Sequence, residues 1–142
     1  MDSIFENMYV NKELFAAMFD PLCEQYDLTV AEILVLMYLG KNEVHNTATD
    51  IVHKLKIAKS YVSTSVRELE RRGYIACYQT EQNRRSIHLQ LCPQAAEIVA
   101  AGEQAQTKFL RVLMQGFSAQ EYVLVVDLLR RMTENANAYL QT

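Results

Sequence analysis

The chain has 142 residues, half of them hydrophobic, with only four glycines and two prolines; that is enough for one domain with a real core and suits a mainly helical fold. Its net charge of −3 argues against a uniformly basic nucleic-acid binder, and no apolar run approaches the roughly 20 residues a membrane helix needs. The start, MDSIFENMYV, lacks the basic and apolar regions of a signal peptide, and three cysteines without a pairing pattern point to a reducing, cytoplasmic setting.

Taken in order, Ser3 to about Tyr26 predicts a first helix, with Ile4, Met8, Phe15, Met18, Phe19 and Leu22 on a wide apolar face. Pro21 lacks a backbone donor, so it is expected near a bend or end. Thr29 and Glu32 have capping-box spacing and open a second helix, Val30 to Leu39. Its run Ile33 to Met37 is apolar almost all round, which makes it central, and Gly40 is expected to close it. A polar loop, Lys41 to Asn46, leads to a second capping box, Thr47 with Asp50. A short amphipathic segment follows, with Ala48, Ile51, Val52 and Leu55 at helical spacing. After a three-residue break comes another helical segment with Val62, Val66 and Leu69 on one side, ended by Gly73 in the left-handed position.

From there the period switches to two. Ile75 and Cys77, then Ile87, Leu89 and Leu91, alternate with polar neighbours on either side of a charged turn, Thr80 to Arg85. Helix, turn, helix and hairpin, over about residues 30–92, outline a winged helix-turn-helix. Pro93, at a first helical position, starts a long helix to about Met114, which Gly116 breaks. Ser118 with Glu121 then opens a last helix to Tyr139. The terminal helices, about 1–28 and 93–142, are too apolar for one small subunit to cover and predict a homodimer; the alternative is a packed intramolecular bundle.

The second helix of the motif carries the chemistry. Its polar face offers Lys59, Ser60, Ser63, Thr64 and Arg67, with no carboxylate before Glu68. Hydroxyls and cations hydrogen-bond phosphate oxygens and base edges, so double-stranded DNA is the expected partner, this face in its major groove. Tyr61 would touch the backbone or a thymine methyl. Arg84 and Arg85, at the hairpin tip, could reach the flanking minor groove. From Lys54 to His88 there are eight Lys and Arg against three Glu, whereas the remainder carries six against fourteen. An acidic body with one basic stripe can still bind DNA at the stripe. The competing reading is a solvated amphipathic helix followed by a hairpin with a basic turn.

Other chemistry finds no footing. His45, His53 and His88 are scattered, no Cys or His pair has metal-ligand spacing, and there is no Gly-rich phosphate loop or GxSxG. Neither an enzyme, a metal nor a cofactor is expected. Cys23 stands beside Glu24 with no adjacent cation, which predicts an inert thiol.

From Leu55 to Cys92 the chain resembles the MarR family of bacterial transcription regulators. That family has a Leu-Glu near the end of the recognition helix, a Gly-hydrophobic-Ile step, an Asp-Arg-Arg tip and a Leu-x-Leu-Thr exit. Here stand Leu69-Glu70, Gly73-Tyr74-Ile75, Asn83-Arg84-Arg85 and Leu89-Gln90-Leu91-Cys92, without a gap. Asn83 replaces the usual Asp, so a neutral hydrogen bond would steady the wing in place of an ion pair. Cys77 stands where a basic residue is common, and Cys92 replaces a capping Thr. The resemblance implies a dimer built from the first and last two helices and a ligand-responsive repressor on a palindromic operator. It also implies a pocket for small aromatic acids or phenols between the dimer helices and the winged core. Two further readings remain at this level: a thiol-based oxidant sensor working through Cys23 or Cys77, and a protein-interaction module that has kept the fold and lost DNA.

Overall fold

A 24-residue helix, α1 (Ser3–Tyr26), begins the computed structural model, which describes residues 2–142. The Asp2 carboxylate accepts from the Ile4 N–H and caps its start. Pro21 lies inside α1 and the helix continues to Tyr26, so the proline marks neither its end nor its last turn's cap. The helix stops where Asp27 turns left-handed (φ 52°) and returns its N–H to the Cys23 carbonyl. The two halves of α1 differ. Phe19 is buried and stacks on Phe15 with ring centroids 4.4 Å apart, whereas Ile4, Phe5, Met8, Tyr9 and Val10 are each more than half exposed. The first expected site of dimerisation, about 1–28, starts at a residue outside those described.

The second helix, α2 (Val30–Lys41), opens with the expected capping box: the Glu32 N–H donates to Thr29 Oγ1 and the Thr29 N–H to Glu32 Oε1. Seven of its twelve residues are buried, and it is the centre of the core. Gly40 does not close it; the helix runs one residue further, to an Asn42 cap. A Cβ at Gly40 would come within 3.1 Å of Val99, so this glycine serves close approach to a later helix. Gly102 does the same from the other side, since a Cβ there would meet Met37 Sδ at 2.5 Å.

Helices α3 (Ala48–Leu55) and α4 (Lys59–Arg71) form the helix-turn-helix. Thr47 and Asp50 make the predicted capping box, and Asp50 is held below the usual carboxylate range chiefly by the Thr47 backbone N–H. Lys56 turns left-handed (φ 55°) to end α3. Ile51, Val62 and Leu69 are fully buried where the two helices meet α2, and Val66 is half-buried. Gly73, at φ 78°, completes a Schellman closure of α4: its N–H donates to the Glu70 carbonyl and that of Tyr74 to the Leu69 carbonyl.

Strands β1 (Ile75–Tyr78) and β2 (His88–Leu91) pair antiparallel, Ile75 opposite Leu91 and Tyr78 opposite His88. Ile75 and Leu89 turn inward as the alternation predicts. Ile87 does not: it precedes β2 and is exposed, because the ladder ends at the Tyr78–His88 pair. The chain just ahead of α3 also touches this sheet, through Asn46, which the sequence assigns to loop, and Thr47, which it assigns to a helix cap. Thr47 bridges His88, and the Leu89 N–H donates to the Asn46 carbonyl.

Pro93–Ala95 forms a 3-10 turn, with no side-chain cap from Cys92, and leads into α5 (Ala96–Leu113). Gly116, at φ 85°, lies in the following turn, and the Ser118–Glu121 capping box opens α6 (Ala119–Leu140). The chain divides into two units, one ending at Phe109 and the other Leu110–Thr142. In the second, α6 has no buried residue, and Tyr122, Val123, Leu124, Val126, Leu128, Leu129 and Met132 are exposed. The architecture is mainly α with a small β-hairpin wing. Among the described residues no helix is long and apolar enough to cross a membrane, and no three His, Cys, Asp or Glu side chains gather as a metal would require.

Candidate nucleic-acid interface

Burying Val62, Ser65 and Leu69 on α4 leaves the opposite side of the helix free, because 3.6 residues complete a turn. Lys59, Ser60, Tyr61, Ser63, Thr64 and Arg67 are all exposed there. The Ser65 hydroxyl, on the buried side, donates to the Tyr61 carbonyl at 2.8 Å and belongs to the core. Thr64 is exposed, but its hydroxyl donates to the Ser60 carbonyl at 2.9 Å, so in this state its oxygen offers lone pairs outward. Ala58 gives α4 no side-chain cap.

Arg84 and Arg85 lie in the exposed loop between Tyr78 and His88. Asn83 organises that loop. Its N–H donates to the Thr80 carbonyl, its Oδ1 accepts from the Arg85 N–H at 3.1 Å, and its Nδ2 donates to Ser86 Oγ at 3.1 Å. Gln79 Nε2 donates to the Arg84 carbonyl at 2.9 Å. The tip is therefore held by neutral, local hydrogen bonds, and among the described residues neither guanidinium group has a partner. The wing stem and α4 border one groove of roughly 280 Å³, walled by Ser63, Arg67 and Glu70 on one side and Cys77 and Ile87 on the other. The reading face and the wing are thus neighbours.

The basic stripe is thinner than its composition suggests. Arg71 forms a salt bridge to Glu68 at 2.5 Å, and its hydrogen bonds hold that carboxyl below the usual range. Arg72 is turned onto the end of α1, with Nη2 donating to the Tyr26 carbonyl at 2.9 Å and Nη1 to that of Asp27. Lys54, Lys56, Lys59, Arg67, Arg84 and Arg85 are exposed, and among the described residues none of them has a salt-bridge partner.

Behind the wing sits a polar node that sequence reasoning missed. Asn46 is only 2% exposed. Its Nδ2 donates to the Glu43 carbonyl and to the Tyr78 hydroxyl, both at 3.0 Å, so its Oδ1 is left to accept from His88 Nδ1 at 2.6 Å. The Tyr78 and His88 rings stack with centroids 5.2 Å apart. Next to the node a cavity of roughly 490 Å³ is walled by Asn42, Glu43, Tyr78 and Gln90. The sequence signal was slight: an Asn just before a capping box reads as a turn residue.

The cysteines stay unpaired. Burial, and then the Glu70 carboxylate that accepts its hydrogen bond, push the Cys77 thiol up to about 11. Burial and the Asp20 carboxylate also raise Cys23. A thiol raised this way is almost wholly protonated at neutral pH and is a poor nucleophile. Cys77 is exposed, so access does not limit it. Its alkylation by iodoacetamide, followed by mass spectrometry, is expected to be slow at pH 7 and to rise about tenfold per pH unit through pH 9. A plateau reached near pH 8 would contradict the environment described for this thiol.

Residues 26–86 match the sequence model of the MarR family, a span that contains α2 to the wing tip. Over that span the chain is similar to the MarR family. The uncharacterized HTH-type transcriptional regulator YdgJ of Bacillus subtilis (strain 168) is 26% identical over 106 residues, 75% of this chain. That similarity spans 63% of the relative's own length. Solved MarR-type structures resemble the whole chain. One, a MarR family regulator from Listeria monocytogenes complexed with 26mer DNA, superposes with a TM-score of 0.87 at 19% identity, covering 99% of this chain and 93% of that one. Another, BpsR of Bordetella bronchiseptica, concerns regulation of DNA binding by 6-hydroxynicotinic acid; its TM-score is 0.74 at 21% identity, with 93% and 94% covered. At such identities these likenesses establish the fold. They extend it past residue 86, to the helices α5 and α6.

Proposed function

We propose that the protein is a cytoplasmic, sequence-specific DNA-binding transcription regulator, a ligand-responsive repressor acting as a homodimer on a palindromic operator. The observation that carries this reading is the exposed face of α4, where hydroxyls and cations without salt-bridge partners among the described residues border the groove shared with the wing stem, with no carboxylate on the helix before Glu68. In this reading Lys59, Ser60, Ser63, Thr64 and Arg67 meet the major groove and Tyr61 the backbone or a thymine methyl. Arg84 and Arg85 hold the flanking minor groove. The Listeria relative's complex with DNA supports it.

The dimer is supported by apolar surface that one chain leaves bare. It appears on the N-terminal half of α1 and, separately, along α6, and such surface in water favours association. We assign the terminal helices, about 1–28 and 93–142, to that interface. Response to a small aromatic or phenolic effector follows by analogy with BpsR and 6-hydroxynicotinic acid. The raised thiols speak against the oxidant-sensing alternative.

Random-site selection followed by footprinting and a salt titration tests the reading. Two inverted half-sites are expected, with centres about one turn, 10–10.5 base pairs, apart, or a multiple of it. Affinity should fall steeply with salt, since counterions leave with each neutralised phosphate. A single non-palindromic half-site, or no enriched sequence, would overturn the dimeric repressor and favour the interaction module.

A further inference from the structure

We propose that Arg72 is a positioning residue that fixes the angle between α4 and α1, and through it the half-site spacing the dimer accepts. The inference rests on the dimeric DNA-binding reading above. It starts from an unmet need in α1, whose last turn contains no basic residue although its terminal carbonyls form the negative end of a 24-residue helix. Arg72, the cap residue just past α4, supplies the missing cation from another element. One guanidinium nitrogen donates to the Tyr26 carbonyl and another to that of Asp27, while the group lies 5.3 Å from the centre of the Tyr74 ring. A planar fork on two carbonyls fixes direction as well as distance, which a single point charge does not.

The contact is one side of a closed triangle. Gln94, at the approach to α5, donates through Nε2 to the carbonyls of both Arg72 and Gly73, holding the end of α4. Gly73 is favoured there by its positive φ, and a Cβ would also press on that Gln94 nitrogen, which would have to move. The third side is the Tyr26 hydroxyl, which donates to Glu97 Oε1 of α5 at 3.1 Å. The ends of α1 and α4 and the start of α5 are thus pinned to one another through side chains that face no DNA. Lys59 and Ser60, the first of the reading residues, lie at the other end of α4. Its 13 residues span about 20 Å, so a tilt of about 10° at Arg72 moves Lys59 and Ser60 by about 3 Å, close to one base-pair step of ~3.4 Å. In a twofold dimer that displacement occurs in both subunits and changes the distance between reading helices.

The test is an anisotropy titration of the full-length protein on duplexes whose two half-sites are moved apart or together by one and two base pairs, with a single half-site as reference. The parent is expected to prefer one spacing by about tenfold or more, within the range a misplaced contact costs. Arg72→Ala should flatten that preference to about threefold or less while leaving the single half-site within about twofold, since Arg72 touches no DNA. Arg72→Lys, which keeps the charge without the fork, should fall between. Arg72→Gln carries the same readout if the alanine variant does not fold. A variant that keeps the parent's spacing profile and only melts earlier, or weakens every duplex alike, overturns the inference and leaves Arg72 a structural cap. A parent with no spacing preference overturns the dimeric reading, and the inference with it.

Discussion

Arg67→Glu is expected to abolish specific operator binding, with a loss of about 3 kcal/mol or more, at least roughly a hundredfold. Arg67 is exposed on the reading face, has no salt-bridge partner among the described residues, and borders the groove between α4 and the wing. Removing the guanidinium forfeits a contact to a phosphate or a base and one released counterion; adding a carboxylate then sets a negative charge against the DNA backbone. Both effects carry the same sign, which is why a reversal exceeds a truncation. The fold should be indifferent, because the residue contributes to neither the core nor any salt bridge. Lys41→Glu, at the end of α2, changes the net charge by the same amount away from the stripe. Binding titrations in which the two variants weaken equally would reduce the role of Arg67 to net charge and remove it from the reading face.

The second large effect concerns stability. Leu69→Ala is expected to destabilise the protein by about 2–5 kcal/mol, against a total stability of about 5–15 kcal/mol for a typical domain. Leu69 is fully buried, packs in the core with Val62 and Ile51, and supplies the carbonyl that closes α4 onto Tyr74. Truncation removes apolar contact and leaves a cavity in a close-packed core of helix and strand residues. The melting temperature should fall by about 10 °C. Tyr61→Ala, on the exposed face of the same helix, should move it by little, because surface changes lie within about 0.5 kcal/mol. Thermal melts that place both variants within about 2 °C of the parent would mean that Leu69 does not anchor α4.

How far the sequence reaches follows from how far each interaction reaches. The capping boxes at Thr29, Thr47 and Ser118 and the left-handed Gly73 were legible because each is settled within a few residues. The reading face of α4 was legible for the same reason: its apolar row dictates where the polar row must go. Gly40 was misread as a stop because its reason, the approach of Val99, lies on another helix. Ile87 was placed in the alternation because its polar and apolar neighbours fit, and nothing local reveals that pairing ends one residue later. Arg72 looked like one more cation of the stripe, since the carbonyls that engage it are distant in the chain. Asn46 was taken for loop for the same reason. Local chemistry wrote the elements; the partners brought in by folding decided what several polar residues do.

That Asn46 node has a consequence in time. Asn46 and His88 are 42 residues apart, and the loop that joins them contains the whole helix-turn-helix. A hairpin can close by itself, but the bridge from Asn46 and Thr47 can join only once α3 and α4 have folded back, because distant contacts wait for the chain between them. The wing stem is therefore completed late in folding. Its amides, such as the Leu89 N–H on the Asn46 carbonyl, are released to solvent only when the surrounding unit opens. The tip, held by Asn83 and its near neighbours alone, opens and closes on its own, so one small sheet contains two clocks.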